Sequence, residues 1–337
     1  MTLTYNPFQL QFKTPFKIAH GVRTFTPIVL VQLNYEGIVA YGEASLPPYL
    51  TENQESVIAF LQQIEVSQLH PDKSHEEVNE YLSSFKENYA AKTALDIAFY
   101  DLKAKLAKQP IYRYLGLTKP NPDTFFTLGI DCEASLKEKL LEAKEFQTLK
   151  IKLNGENDKA YIQLIRKYSS QSIAIDANQA WNNVEKAIEL VNWLETQNVV
   201  LIEQPFPKLE LEKNAALKKH TSIPLIADES FQSINDLEEI ASCFDGINIK
   251  LMKCGGIYNA LKIIEKAKQN NLKIMQGCMT ETSCGISAAA SISSLAQFID
   301  LDSPLLTKND PFSGINYKNG KLEINENVGL GLNPTEF

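Results

Sequence analysis

A lysine or an acid closes one short apolar run after another in this sequence. Lys150 and Lys152 end one run, Asp176 the next, then Glu203, Asp228 with Glu229, Lys250, and finally Asp300 with Asp302. Charges that share one cavity must compensate one another, because an unpaired buried charge costs more than a domain's net stability. Asp176, Glu203 and Asp228 come from consecutive runs and form an all-oxygen donor set, suited to a hard cation that keeps positions open for water and substrate. Magnesium is the first expectation, and manganese could replace it. No histidine or cysteine joins the trio, so zinc is not expected. Lys152 precedes the trio and Lys250 follows it, which predicts ammonium groups on opposite sides of a metal-bound substrate, and hence proton transfer. A lysine becomes a base near neutral pH only when desolvation or nearby positive charge lowers its pKa; the cation and Lys150 would supply the second effect for Lys152.

These residues need a scaffold that brings strand ends together. From residue 125 onward the apolar runs 125–130, 149–153, 173–177, 199–204, 225–229, 246–251, 273–278 and 298–302 are separated by helical segments. Eight buried strands with crossover helices, repeating about every 25 residues, predict a closed parallel β/α barrel, whose active site lies at the carboxyl ends of its strands. No glycine-rich turn follows the first strand, as a doubly wound sheet would favour. Before the barrel, residues 28–41 read as an antiparallel hairpin turning at Tyr35-Glu36-Gly37. Helical periodicity comes next over 53–64, 74–85 and 90–115, the last stopping at Gly116. After the last strand, 315–324 reads as a hairpin turning at Asn319-Gly320 and rejoining the N-terminal unit. The expected division is an α+β domain over 1–120, a barrel over 121–307, and a returning segment over 308–337.

Composition narrows the function classes. The 337 residues carry a net charge of −8, with 33 basic against 41 acidic side chains and no dense basic block. That excludes an electrostatic footprint for nucleic acid or an anionic membrane and favours a small-molecule substrate. The N-terminus lacks the apolar core of a signal peptide and no run is long enough to span a bilayer, so a cytoplasmic location is expected. Cys132, Cys243, Cys254, Cys278 and Cys284 form no CxxC pair and are expected as reduced thiols. His20, His70, His75 and His220 fall away from the strand ends and are given no site role.

Lys150-Ile151-Lys152, Asp176-Ala177-Asn178, Glu203-Gln204-Pro205, Ala227-Asp228-Glu229-Ser230 and Asn248-Ile249-Lys250 with Gly255-Gly256 together resemble the muconate-lactonizing subgroup of the enolase superfamily. The resemblance implies a modified (β/α)7β barrel of the TIM type and an α+β capping domain formed by both chain ends. It makes Asp176, Glu203 and Asp228 the magnesium ligands and Lys152 and Lys250 the acid/base pair. Lysine at 250 departs from the mandelate-racemase branch. Asp300-Leu301-Asp302 resembles the Asp-x-Asp by which dipeptide epimerases grip a substrate ammonium, and Thr127 and Cys278 occupy positions that border the substrate there. The resemblance thus implies a dipeptide epimerase in which Lys150 stays cationic beside the developing enediolate. Side-chain selection is expected from residues 19–23 and 46–50. The second loop is apolar, and Arg23 is the obvious cation for a glutamate side chain, so broad Ala-Xaa activity is favoured over strict Ala-Glu specificity. D-alanine-containing dipeptides would point to peptidoglycan turnover. The rivals are a cycloisomerase or o-succinylbenzoate-synthase-like lyase, which has no ammonium to grip, and a non-catalytic binding barrel. Association with further copies of the chain is left open.

Overall fold

The computed structural model describes residues 1–18 and 21–335. Three antiparallel strands open the chain: β1 (Thr2–Ile18), β2 (Gly21–Tyr35) and β3 (Ile38–Ser45), in the order β1-β2-β3. Glu36 and Gly37 turn between the last two with φ of 51° and 83°, the primed geometry that suits a twisted hairpin. Strand β1 is not among the elements expected from the sequence; Leu3 and Tyr5 turn toward the core, and past the exposed Asn6 and Pro7 the inward set shifts phase to Phe8, Leu10 and Phe12. Helices α1 (Gln54–Leu61), α2 (His75–Ser83), α3 (Tyr89–Leu106) and α4 (Ile111–Tyr114) complete this unit. Asn53 and Ser74 cap α1 and α2 with reciprocal side-chain bonds. The single helix expected over 90–115 is two helices. Pro110 has no N–H to offer Leu106 and its ring would clash there, so the chain leaves α3 through Lys108 at φ 54°. Helix α3 lies so close on the sheet that a Cβ at Gly42 would sit 1.9 Å from the Ala94 carbonyl oxygen.

The barrel alternates strand and helix: β4 (Phe126–Leu128), α5 (Glu133–Glu142), β5 (Thr148–Lys152), α6 (Asp158–Arg166), β6 (Ser172–Asp176), α7 (Val184–Leu194), β7 (Val199–Glu203), α8 (Leu211–Lys218), β8 (Leu225–Ala227), α9 (Leu237–Cys243), β9 (Gly246–Ile249), α10 (Leu251–Cys254), α11 (Ile257–Gln269), β10 (Lys273–Gly277), α12 (Ser283–Ser291), β11 (Phe298–Asp300) and α13 (Ser303–Leu306). All eight strands are parallel, in sequence order. The seam between first and last is bridged by Phe125 N donating to Ile299 O at 2.9 Å and Leu301 N donating to Thr124 Oγ1 at 2.9 Å. The expected parallel barrel is therefore present, its strands where the apolar runs lie.

Period-2 alternation divides each strand between two cores. Outward residues such as Leu149, Ile151, Ile173, Ile175 and Ile202 join the helices in the main core, each contributing about 1.5–3 kcal/mol of burial. Inward residues Phe125, Ala174, Leu201, Ile226 and Met275 form a separate plug inside the barrel. Two residues further along come Thr127, Asp176, Glu203, Asp228 and Gly277, so the polar layer stands directly above the plug. The tail adds β12 (Phe312–Ser313), β13 (Ile315–Lys318), β14 (Lys321–Ile324) and β15 (Asn333–Pro334). It touches both bodies: Leu330 N donates to Asp101 Oδ1 of α3 at 2.8 Å, and Gly320 O accepts from Thr124 N at 3.1 Å. Among the described residues no helix is long and apolar enough to cross a membrane.

Candidate active site

A cavity of about 440 Å³ opens at the carboxyl ends of the barrel strands. Its floor and walls include Thr127, Lys150, Lys152, Asp228, Lys250, Cys278, Asp300 and Asp302, and Arg23, Tyr49 and Leu50 of the N-terminal unit roof it. Asp176 and Glu203 lie beneath this surface, fully buried. Register explains their grouping. Lys152 pairs with Asp176 across β5 and β6, and Asp176 with Glu203 across β6 and β7, so neighbouring side chains start about 5 Å apart. Ala19 and His20 of the expected selecting loop lie outside the described residues.

Ammonium groups bind the carboxylates together. Lys150 Nζ stands 2.6 Å from Asp300 Oδ2, 2.8 Å from Glu203 Oε2 and 3.2 Å from Asp176 Oδ2. Lys152 Nζ lies 2.5 Å from Asp176 Oδ2, and Lys250 Nζ lies 2.7 Å from Asp228 Oδ2. Burial alone would raise Asp176, yet Lys152 and Lys150 outweigh it and hold the carboxyl at about 2. Lys250 and Lys253 likewise overcome burial and keep Asp228 well below the ordinary carboxylate range. Glu203 moves the other way, pushed to about 7 by burial and then by Asp176, and Glu229 to about 8 by burial and Asp228. Burial pushes Lys150 and Lys250 down, but Asp300 and Asp228 respectively lead the carboxylates that reverse this and keep both cationic.

Whether Asp176, Glu203 and Asp228 suit a metal ion turns on this geometry. Among the described residues no three His, Cys, Asp or Glu groups converge as a ligand set, because the ammonium groups hold the carboxylates instead. The donor chemistry nonetheless fits a hard divalent cation. Every donor is an oxygen, positive charge falls short around Glu203 and Glu229, and Asn178 Oδ1 and Glu229 Oε2 are buried without hydrogen-bond partners. The backbone here is also strained. Asn178, Gln179 and Gln204 hold φ of 43°, 66° and 38°, at roughly 1–3 kcal/mol each, as functional sites tend to do.

At the far end of the cavity, Asp302 Oδ2 accepts Thr127 N at 2.6 Å and is pushed to about 7 by burial and Asp300. Burial raises the Cys278 thiol well above its usual value, so it stays protonated. Arg23 lies 5.6 Å from the Phe12 ring and 5.7 Å from the Tyr49 ring, its Nε and Nη1 buried and without hydrogen-bond partners.

Residues 2–116 match the family described as mandelate racemase / muconate lactonizing enzyme, N-terminal domain, and residues 133–337 match the enolase C-terminal domain-like family. The chain belongs to the mandelate racemase / muconate lactonizing enzyme family. It is 42% identical to the L-Ala-D/L-Glu epimerase of Bacteroides thetaiotaomicron, over 98% of this chain and 88% of that one. Among solved structures it resembles a substrate-liganded complex of the L-Ala-D/L-Glu epimerase from Bacillus subtilis, with a TM-score of 0.90, 30% identity and 98% of each chain covered. It also resembles the dipeptide epimerase from Cytophaga hutchinsonii complexed with Mg and D-Ala-L-Val, with a TM-score of 0.88, 31% identity, and 100% and 97% of the two chains covered.

In this member of the mandelate racemase / muconate lactonizing enzyme family, Lys253, which the sequence pattern did not single out, also joins the charged cluster, as do Asn248 and Gln204, which were quoted only as neighbours of Lys250 and Glu203. Lys253, buried on α10, donates to Asp228 Oδ1 at 2.6 Å and to the Asp228 carbonyl at 2.7 Å. Its spacing of three from Lys250, one helical turn, was the available signal. Asn248, two residues before Lys250 on the same inward face, donates to Glu203 Oε1 at 2.7 Å. Gln204 accepts the Asp228 and Ser230 N–H groups, each at 3.0 Å, which fixes where Asp228 leaves β8.

Proposed function

We propose that this chain is a magnesium-dependent dipeptide epimerase, an isomerase that inverts the α-carbon beside the substrate's free carboxylate. One observation carries the reading: Lys152 on β5 and Lys250 after β9 enter the same cavity, and the three strands between them carry Asp176, Glu203 and Asp228. Asp176, Glu203 and Asp228 would hold Mg²⁺, or Mn²⁺ in its place, and the bound cation would supply Lewis-acid charge for a substrate carboxylate and its enediolate. One lysine removes the α-proton from one face and the other returns a proton to the opposite face. Such acid/base work is worth about 10²–10⁴-fold, so electrostatic stabilisation must contribute the larger share. Lys150, held cationic by three carboxylates, adds fixed positive charge beside that centre.

Asp300 and Asp302 supply the feature that a cycloisomerase or lyase does not need. Asp300 Oδ1 is buried and unpaired in the cavity wall, a place for the ammonium of an N-terminal residue. Thr127 anchors Asp302, and Cys278 contributes a small neutral wall. A second observation bears on specificity. The Arg23 donors without partners suit a carboxylate side chain at the second residue, which favours an Ala-Glu-like substrate beside the broader Ala-Xaa range. Proton NMR in D₂O with Mg²⁺ and stereoisomers of Ala-Ala, Ala-Val and Ala-Glu tests both points. Loss of an α-proton signal together with growth of the diastereomer is expected. No exchange with any dipeptide would overturn the reading.

A further inference from the structure

The end of β3 and the loop after β10 meet across the boundary between the N-terminal unit and the barrel, 239 residues apart in sequence. Glu43 is fully buried there. Its Oε1 accepts Thr282 N at 3.0 Å, and its Oε2 accepts the Thr282 hydroxyl. Ser45, on the same strand, donates from its hydroxyl to Thr280 O at 2.7 Å. From the barrel side comes Glu281, 1% exposed. Its Oε1 accepts Met279 N at 2.7 Å, and its backbone N–H and C=O both bond Ser303 Oγ at 2.8 Å. Glu281 Oε2 is left buried with no hydrogen-bond partner.

The surroundings show where that oxygen points. A Cβ at Gly285 would lie 2.4 Å from Glu281 Oε2 and 3.1 Å from Glu43 Oε1, so the two carboxyls converge on the one residue of α12 that has no side chain. Two ionised carboxylates cannot share such a place. Asp310, itself bonded by Ser283, adds negative charge to Glu43; Lys250 is the cation whose field reaches Glu281; the nearby Cys278 and Cys284 thiols stay neutral through burial.

We propose that Glu43 and Glu281 hold one proton between Glu281 Oε2 and Glu43 Oε1, and that this shared proton locks residues 278–282 of the cavity rim to the N-terminal unit. The rim carries Cys278, Met279 and Thr280, which line the cavity, and Tyr49 in the roof donates to Met279 Sδ at 3.0 Å. Glu43 and Glu281 are thus positioning residues that act through the rim. Burial, the largest cause, pushes Glu281 to about 7, and burial followed by Glu281 pushes Glu43 well above the ordinary range. Because both lie above the unfolded glutamate value, the pair's contribution is full in acid and is lost as pH rises through about 7 and beyond.

The test uses the full-length protein. In infrared spectra at neutral pH, the carbonyl absorption of protonated carboxylic acids is expected to be weaker in Glu281→Gln than in wild type, the remainder coming from Glu203, Glu229 and Asp302. In urea unfolding between about pH 6 and pH 9, wild type loses stability more steeply than Glu281→Gln, whose amide donates to Glu43 without titrating. With substrate, the rise of KM over that range flattens in the same variant. The KM arm rests on the epimerase reading; the infrared and unfolding arms do not, so the two failures can be told apart. An unchanged carboxylic-acid band in Glu281→Gln, or parallel pH slopes, overturns the shared proton. Should Glu281→Gln fail to fold, Glu43→Gln carries the same band measurement.

Discussion

Lys150 Nζ and Asp300 Oδ2 meet at 2.6 Å inside the barrel, with β4 between their strands. Because Lys150 also pairs with Glu203 and Asp176, removing its ammonium leaves three buried carboxylates facing one another. Breaking a buried ion pair from one side costs roughly 3–5 kcal/mol. Lys150→Met is therefore expected to lose about that much stability in urea unfolding without added metal, and to recover part of it in Mg²⁺, which supplies the missing positive charge. Equal loss with and without Mg²⁺ would remove these carboxylates from the metal site.

Lys152 ends β5 and Lys250 follows β9, four strands away in the eight-stranded barrel, so in the proposed reaction each should serve one face of the substrate. Lys250→Ala is expected to cut epimerisation by roughly 10²–10⁴-fold, the scale of one acid/base group. Exchange of the α-proton with D₂O should persist for the stereoisomer whose proton faces Lys152 and vanish for its epimer. The mirror pattern is expected for Lys152→Ala. NMR of single stereoisomers reads this directly, and symmetric loss of exchange in both variants would contradict the two-face assignment.

The strand ends were legible because a barrel imposes two regularities at once, a repeat that places Lys152, Asp176, Glu203 and Asp228 on successive strands and a period of two that turns them inward. Neither regularity reaches Lys253, whose partner is a carboxylate 25 residues away on a neighbouring strand. Still less does it reach Glu43 and Glu281, which meet only because two separately folded units pack together. Helix ends were legible where a cap or glycine marks them, as at Ser74 and Gly116. The break after Leu106 was hidden because apolar periodicity resumes beyond Pro110 in nearly the same phase. Strand β1 was obscured by Pro7 and Pro15, which interrupt an alternation running along a sheet edge, where proline is tolerated.

Arg23 offers two buried donors to the cavity and has aromatic rings beside it. Burial lowers its pKa, though a guanidinium remains charged at neutral pH. A charge-assisted hydrogen bond is worth about 1.5–3 kcal/mol, so Arg23→Ala should raise KM for Ala-Glu roughly 10- to 100-fold. KM for Ala-Ala should change little. Initial rates with both substrates decide the matter, and equal changes for both would make Arg23 part of the roof rather than a selector.

His75 lies far from the chemistry and sets an acid limit to the fold. Its ring stacks on Tyr100 with centroids 3.7 Å apart, Nε2 lies 3.0 Å from the Tyr114 hydroxyl, and Nδ1 is buried without a partner, so a second proton would have nothing to bond. Burial and then Lys103 hold its pKa down at about 4. The unfolded chain, with a histidine near 6.5, binds that proton first, so stability is full above about 6.5 and falls as pH drops toward 4. The shift corresponds to about 3 kcal/mol once both states are protonated. His75→Phe keeps a stacked ring and removes the titration. Urea unfolding from about pH 7 to pH 4 should give a shallower acid slope for this variant than for wild type, even though both lose stability as carboxylates protonate; identical slopes would show that His75 charges as freely in the fold as outside it.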